Sequence, residues 1–354
     1  MNRGHTLRSI GFWLSSLAAC ADGSDSGPSG EHVEFFLEGR DHEICAGTIA
    51  QLDRYVERVA EFLGMSLPPE FRVPIHTGRH RRCKSACYVP EEDAIYLAGL
   101  DTTGRVIPDG VIRHELAHAV FERLLGHGSP FFNEGLAESL TKIARTAPRP
   151  GQPVGDMLDR PAVDVDYAEA AHFVRFLIDT RGIERFIRLY RAVKEGDSRS
   201  RVVARFADVY GEDFSKIEKE YVAGAPRCGY QLDVCDALEV EPAGSEWSVA
   251  LAASCLDPEF FGADGGAFGT EMSIRFEFSG RYRFRMTPLS ISDPSGRPVM
   301  SVVRMIRCGD CTQQFTFDFF SDEVEFELQA GLYTFVFLPA GDSVMRFEVE
   351  YVGS

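Results

Sequence analysis

His114 and His118 stand four residues apart, so on an α-helix they lie about 40° from one another and one turn along. Both imidazoles can then reach a single ion. Glu115, between them, falls about 100° round from His114. That puts its carboxylate beside such an ion rather than on it, where it can take a proton from water. A tetrahedral zinc with an open position needs a third protein ligand. Glu134, in the stretch Asn133-Glu134-Gly135-Leu136-Ala137-Glu138, is the candidate. The chemistry this set suits is hydrolysis by activated water, with one Zn2+ ion and Glu115 as general base.

The motif His-Glu-x-x-His fixes only three residues, and ordinary amphipathic helices match it. Two features set this one apart. Its helix is otherwise apolar, with Val111, Ile112, Leu116, Ala119, Val120 and Leu124, so the polar trio intrudes into a buried face. The second acidic motif follows a glycine-containing break, at a distance suited to an antiparallel returning helix.

The pair His114-Glu115-Leu116-Ala117-His118 and Asn133-Glu134-Gly135-Leu136-Ala137-Glu138 resembles the gluzincins, the thermolysin-like and aminopeptidase-like zinc peptidases. More narrowly it is similar to the short peptidase MA-like domains of bacterial lipoproteins. The resemblance implies a mainly helical zincin-type catalytic domain with a small edge sheet. It makes His114, His118 and Glu134 the zinc ligands and places Glu138 behind a zinc histidine, with Asn133 as a further supporting residue. The spacing of Glu134 and Glu138 agrees, since residues four apart share a helix face. Downstream, Tyr167-x-x-Ala170-x-x-Phe173-Val174-x-Phe176-Leu177 resembles the helix that follows the zinc site in gluzincin aminopeptidases. There a tyrosine donates a hydrogen bond to the developing oxyanion, and Tyr167 is the matching residue. The bland alternative is a tyrosine packing its ring in the core. The interval between His118 and Glu134 is a few residues shorter than in the large aminopeptidases, and no GAMEN-type exopeptidase motif is present. The expected activity is therefore that of an endopeptidase.

Other residues that invite a metal reading are weaker. His76 and His80 fall in a Gly/Arg-rich stretch and read as exposed loop histidines. His127 lies in the turn that ends the His114 helix. His172 reads as a structural histidine, with substrate contact the alternative.

These groups need a scaffold, and the chain of 354 residues is long enough for two domains. Apolar content of 44% and charged content of 26% are ordinary for a globular protein. A net charge of −17 and an isoelectric point near 5.0 exclude a basic nucleic-acid-binding surface. Residues 1–19 read as a signal peptide, with Arg3 and Arg8 ahead of an apolar run too short to span a bilayer. The run ends Leu17-Ala18-Ala19-Cys20, which resembles a bacterial lipobox with Cys20 as the lipidated residue. Several acyl chains on one cysteine anchor a protein stably to a membrane. The residues after Cys20 favour the outer membrane or cell surface over the inner membrane. The alternative is a simple secretory signal. Residues 20–32 are Gly/Ser/Asp-rich and read as a disordered linker.

Removing Cys20 from the nine cysteines leaves eight, Cys45, Cys83, Cys87, Cys228, Cys235, Cys255, Cys308 and Cys311. An even number in an exported chain predicts disulfides. If all pair, at least one bridge joins the region before residue 100 to the region after 225. A second zinc site at Cys308-Gly309-Asp310-Cys311 is the competing reading.

Residues 33–226 are expected to form the metallopeptidase domain. Strand character appears at 31–38, 71–75 and 94–98, and helical periodicity at 45–63. In zincins a strand placed as 94–98 is the sheet edge along which an extended substrate lies. Residues 147–161 read as a loop beside the cleft. Helices follow at 164–180, 183–193, 199–210 and 213–221. From Trp247 the period becomes two. Seven strands separated by turn signals predict a C-terminal antiparallel β-sandwich over 227–354. The fold class expected is thus multidomain α+β. The substrate expected is an extracytoplasmic protein or peptide. The rival reading is a catalytically inactive lipoprotein of the same fold that serves as an envelope binding or adhesion module.

Overall fold

The computed structural model describes residues 26–37, 44–97, 109–141, 152–291, 302–309, 314–318, 323–338 and 343–353, less 79, 84, 85, 227–229, 231, 233, 242–245, 253, 255 and 264–266. The signal segment, Cys20 and the first part of the linker lie outside the described residues. No described helix is long and apolar enough to cross a membrane.

The chain is mixed α+β, with two hydrophobic clusters that share no buried residue. The first is built on a five-stranded sheet and seven described helices. Its strands are β1 (Ser26–Ser29), β2 (Val33–Phe36), β3 (Val73–His76), β4 (Ala86–Val89) and β5 (Ala94–Leu97), in the order β1-β2-β3-β5-β4. The central three are parallel and both edges antiparallel. Two expectations change here. Ser26–Ser29, inside the stretch read as disordered linker, pairs with β2. The strand expected at the edge, β5, lies between β3 and β4, so the edge nearest the helix that carries His114 is β4. Its four residues carry no periodicity long enough to read as a strand, and their place comes from pairing with β5.

Helix α1 (Ala46–Phe62) buries Leu52, Tyr55, Val56, Val59 and Ala60 at spacings of three and four. Helix α2 (Asp109–Leu125) packs on β4, β5, α1 and α3, with Leu116, Ala117, Ala119, Val120 and Phe121 fully buried. It stops where Gly126 turns to φ +82° and its N–H caps the Glu122 carbonyl. Pro130 opens α3 (Pro130–Thr141), at a position where a missing N–H costs nothing. Helix α4 (Tyr167–Arg181) is capped by Asp166, which accepts the Glu169 N–H at 3.2 Å. Helices α5 (Ile183–Ala192), α6 (Arg199–Tyr210) and α7 (Phe214–Gly224) close the cluster.

Helix α4 packs against α3 because Gly135 has no side chain. A Cβ there would meet the Ala170 carbonyl oxygen and Val174 Cγ2, each at 2.8 Å. The glycine between the two motif glutamates thus brings the start of α4, and Tyr167 with it, close to α3.

The second cluster lies between two antiparallel sheets. One has β7 (Phe261–Ala263), β8 (Ala267–Phe276), β10 (Val302–Arg307), β11 (Gln314–Asp318) and β13 (Gly331–Leu338). The other has β6 (Glu246–Ala252), β9 (Gly280–Ile291), β12 (Glu323–Leu328) and β14 (Ser343–Gly353). Alternate inward residues, among them Ile274, Phe276, Phe284, Phe335 and Phe347, fill the space between them. Ring pairs such as Phe335–Phe347 cross from sheet to sheet. Strands β6 and β7 add to the seven expected from sequence. The two clusters meet where the start of α1 lies on β7: the Gly47 N–H donates to the Phe260 carbonyl at 2.8 Å and Thr48 Oγ1 to the Gly262 carbonyl at 2.8 Å. A Cβ on Gly47 would sit 2.5 Å from the Phe260 oxygen, so only glycine fits there.

Disulfides join Cys83 to Cys87 and Cys235 to Cys308. Cys45 is disulfide-bonded as well. Cys308 is therefore committed to a bridge, and the Cys-x-x-Cys zinc reading fails on it. Cys228, Cys255 and Cys311 lie outside the described residues.

Candidate metal centre

Helices α2 and α3 run back on one another and bring three donors to one point. His114 Nε2 lies 3.2 Å from Glu134 Oε2, His118 Nε2 lies 3.3 Å from the same oxygen, and the two Nε2 atoms are 3.1 Å apart. The three residues form a group whose donor atoms all fall within 4.8 Å of one another. Their side chains are only 7–14% exposed. Two imidazole nitrogens and a carboxylate oxygen converging in a buried place are a donor set of the kind that holds a divalent cation.

The outward faces of both rings are held. His114 Nδ1 lies 3.4 Å from Glu138 Oε2. His118 Nδ1 lies 3.6 Å from Glu122 Oε1 and 3.2 Å from Asn133 Nδ2. At His114 the carboxylate beside Nδ1 favours a proton there and turns Nε2 toward the centre. Asn133 is itself fixed: its Nδ2 donates to Glu122 Oε1 at 2.8 Å, and its Oδ1 accepts the Tyr190 hydroxyl at 2.6 Å. The Tyr190 oxygen in turn accepts the Gly128 N–H at 3.2 Å. By donor chemistry and convergence, this set fits a zinc ion.

The electrostatics follow from burial. Burial alone would lower the His118 pKa, but Glu122 and Glu134 outweigh it and raise it to about 10. His114 is raised against the same opposing burial by Glu134 and Glu138. Burial would raise Glu134 and Glu122, but the histidines around them bring both down to about 2.

Glu115 lies beside the trio and accepts the Tyr88 N–H from β4 on Oε2 at 2.8 Å. Tyr167 lies on the other side. Its ring stacks parallel to that of His114, with centroids 5.9 Å apart, and its side chain hydrogen-bonds to Glu134. Burial, then the charges of Glu134 and Glu115, push its pKa well above the usual phenol range. It is 37% exposed, so its ring is not packed in the core.

All the site residues expected on α2, α3 and α4 are therefore brought together. Cys20 alone lies outside the described residues. His76 and His80 are not exposed loop histidines. His76 is on β3, stacked between Phe36 and Tyr96, and His80 stacks on the other side of Tyr96 with its side chain 12% exposed. Phe36 and Tyr96, arriving from two other strands, account for this, and no local pattern announces them. His127 is not a ligand: its Nδ1 lies 3.0 Å from Glu122 Oε2. His172 is partly buried on α4, and burial lowers its pKa. Glu122, Tyr190 and Tyr88 were not singled out. Glu122 was within reach, one helical turn beyond His118; the other two arrive through long-range packing.

No family model matches this sequence. No curated protein matches it. Among solved structures, the chain is similar to tripeptidyl peptidase 2 at 11% identity and a TM-score of 0.24, over 32% of this chain and 10% of that one. It is similar to a family GH115 4-O-methyl-alpha-glucuronidase with specificity for decorated arabinogalactans at 11% identity and 0.21, over 68% and 42%. It is also similar to a Streptomyces albus enzyme bound to 2-hydroxyethylphosphonate and Fe(II), at 13% identity and 0.16, over 59% and 43%. The chain spans less than half of each of these proteins, and at such scores the likenesses carry no argument.

Proposed function

We propose that this chain is a zinc-dependent metallopeptidase of the gluzincin type that hydrolyses peptide bonds in extracytoplasmic protein or peptide substrates. The observation that carries the reading is the meeting of His114 Nε2, His118 Nε2 and Glu134 Oε2 with Glu115 beside them.

In this reading His114, His118 and Glu134 hold the ion. Zinc, when bound, supplies Lewis acidity, polarising the scissile carbonyl and making water a stronger acid. Glu115 accepts the proton of the attacking water and hands it to the departing amine. Its hydrogen bond from the Tyr88 N–H keeps one carboxylate oxygen occupied and leaves the other for that proton. Tyr167 donates its phenolic hydrogen to the carbonyl oxygen as negative charge grows there, a contact strongest in the transition state. Glu138, Glu122 and Asn133 hold the two imidazoles in place. Strand β4, the sheet edge that touches Glu115, is where an extended peptide would lie by strand addition. The two-sheet C-terminal half carries no catalytic constellation among its described residues and acts as an accessory domain. Lipidation at Cys20 would hold the protein at the outer membrane or cell surface.

The test is cleavage of a peptide library read by mass spectrometry, with and without a chelator, for the wild-type chain and Glu115→Gln. Internal cleavages that disappear with chelator and with the variant support the reading. Cleavage by Glu115→Gln at the wild-type rate overturns the mechanism.

A further inference from the structure

A second group of metal-ligating side chains lies on other elements. Glu31 and His32, in the turn before β2, and Glu57, on α1, place one donor atom each within 4.8 Å of one another. We propose that this group is a second divalent-cation site, for zinc or a similar first-row ion, which ties the β2 turn to α1. It uses no residue of the centre formed by His114, His118 and Glu134.

The histidine is the informative member. His32 is 7% exposed, and its Nδ1 donates to the Phe71 carbonyl at 3.1 Å. That bond places a ring proton on Nδ1 and turns Nε2 to the side of Glu57. Nε2 faces Glu57 Oε1 at 3.7 Å. An imidazole whose far nitrogen donates to a carbonyl is the usual form of a metal-bound histidine.

The turn that presents these groups is built rather than loose. The N–H groups of Glu31, His32 and Val33 all converge on the Asp53 carboxylate, at 2.8, 2.9 and 3.1 Å. Gly30 lets the backbone come that close: a Cβ there would lie 2.1 Å from Asp53 Oδ2. Glu57 is one helical turn beyond Asp53 on the same helix, so the residue that anchors the turn and the residue that faces it share a face of α1.

Charge and space agree with a cation. The two carboxylates of Glu31 and Glu57 carry −2, which a divalent ion neutralises. Mixed imidazole and carboxylate donors suit zinc better than magnesium or calcium, which take oxygen alone. The group lines an open cavity of about 550 Å³ bounded also by Ala60, Gly64, Met65 and Leu67. A three-donor set there leaves coordination positions facing the cavity.

The experiment counts ions. The full-length protein is stripped with chelator, dialysed against Zn2+, and its metal measured by mass spectrometry. The expected count is two per chain for wild type and one for His32→Gln. Glu57→Ala, a change at a side chain 57% exposed and so harmless to folding, should also lose one ion. His114→Ala/His118→Ala should retain one, whatever becomes of the peptidase reading. Unchanged counts in both His32→Gln and Glu57→Ala overturn the second site. A count of zero in the His114/His118 variant, with its circular dichroism spectrum intact, overturns it as well. Loss of the ion from the His114 centre with retention of the other would instead bear only on the first site.

Discussion

The Tyr88 backbone N–H donates to Glu115 Oε2 across 2.8 Å. The general base of the proposed reaction is thus tied to the outermost strand of its sheet. A glutamine at 115 can accept the same hydrogen bond through its amide oxygen, so Glu115→Gln changes proton affinity while leaving the geometry. The expected result is zinc binding equal to wild type and a kcat lower by about 10²–10⁴-fold. Metal analysis and single-turnover peptide cleavage check it. Loss of zinc along with activity would mean that Glu115 holds the ion or the helix instead.

Tyr167 stacks on His114 and is partly exposed. Tyr167→Phe keeps the ring stack and removes only the hydroxyl. The prediction is a fall in kcat of about 10²–10³-fold with KM nearly unchanged, as for loss of one oxyanion donor. A variant that lowers stability without changing kcat would assign the tyrosine to packing.

The convergence of His114 and His118 was legible in the sequence because it depends on the geometry of one helix, while Glu134 was pointed to by the resemblance of Asn133–Glu138 to the gluzincin motif. A helix fixes where residues i, i+1 and i+4 point, and the glycine-marked breaks at Gly126 and Gly128 fix where α2 turns back. The alternation of β8 to β14 is equally local. What could not be read depends on pairing partners far along the chain. Whether β4 or β5 is the edge is decided by which strand finds β3. The histidines on β3 and its following loop are stacked because Phe36 and Tyr96 arrive from other segments. Tyr190 reaches Asn133 across 57 residues, and nothing around either residue announces it.

Glu122 and Glu138 lie against the Nδ1 faces of His118 and His114. Neutralising either should weaken zinc binding by about 10–100-fold, the usual effect of removing a partner behind a metal histidine. Glu122→Gln and Glu138→Gln, titrated against a competing chelating dye, measure this directly. Wild-type affinity in both would show that the rings are held by packing alone.

Gly135 is the contact point between α3 and α4. Gly135→Ala would force the Ala170 carbonyl away, and overpacking of this kind costs about 1–3 kcal/mol. Ala170 lies less than a turn beyond Tyr167, so the tyrosine should move with it. Displacement of a catalytic group by about 1 Å can cost up to about 10²-fold in rate. Denaturant unfolding and kcat for this variant should therefore both fall while zinc content stays whole. A rise in stability, the ordinary result of Gly→Ala in a helix, would show that α4 is not held by this contact.

His118 is raised from its ordinary 6.5 to about 10 in the metal-free fold. A raised pKa means the folded state holds the proton more tightly than the unfolded chain does. That contribution to stability is complete below about 6.5 and is lost as pH climbs through about 10. His114 is raised as well and acts in the same direction. Glu122 and Glu134 are depressed to about 2, so their contribution is present above the ordinary carboxylate range and is lost only as pH falls through about 2. Thermal melts of the chelator-treated chain should therefore fall progressively from neutral to alkaline pH. Zinc reverses the slope, since an imidazole must surrender its proton to bind metal. Zinc affinity should rise over the same interval, with protons released on binding, and titration calorimetry in buffers of different ionisation enthalpy would measure that release. A zinc affinity flat across this range would mean that His118 and His114 are already neutral in the metal-free protein.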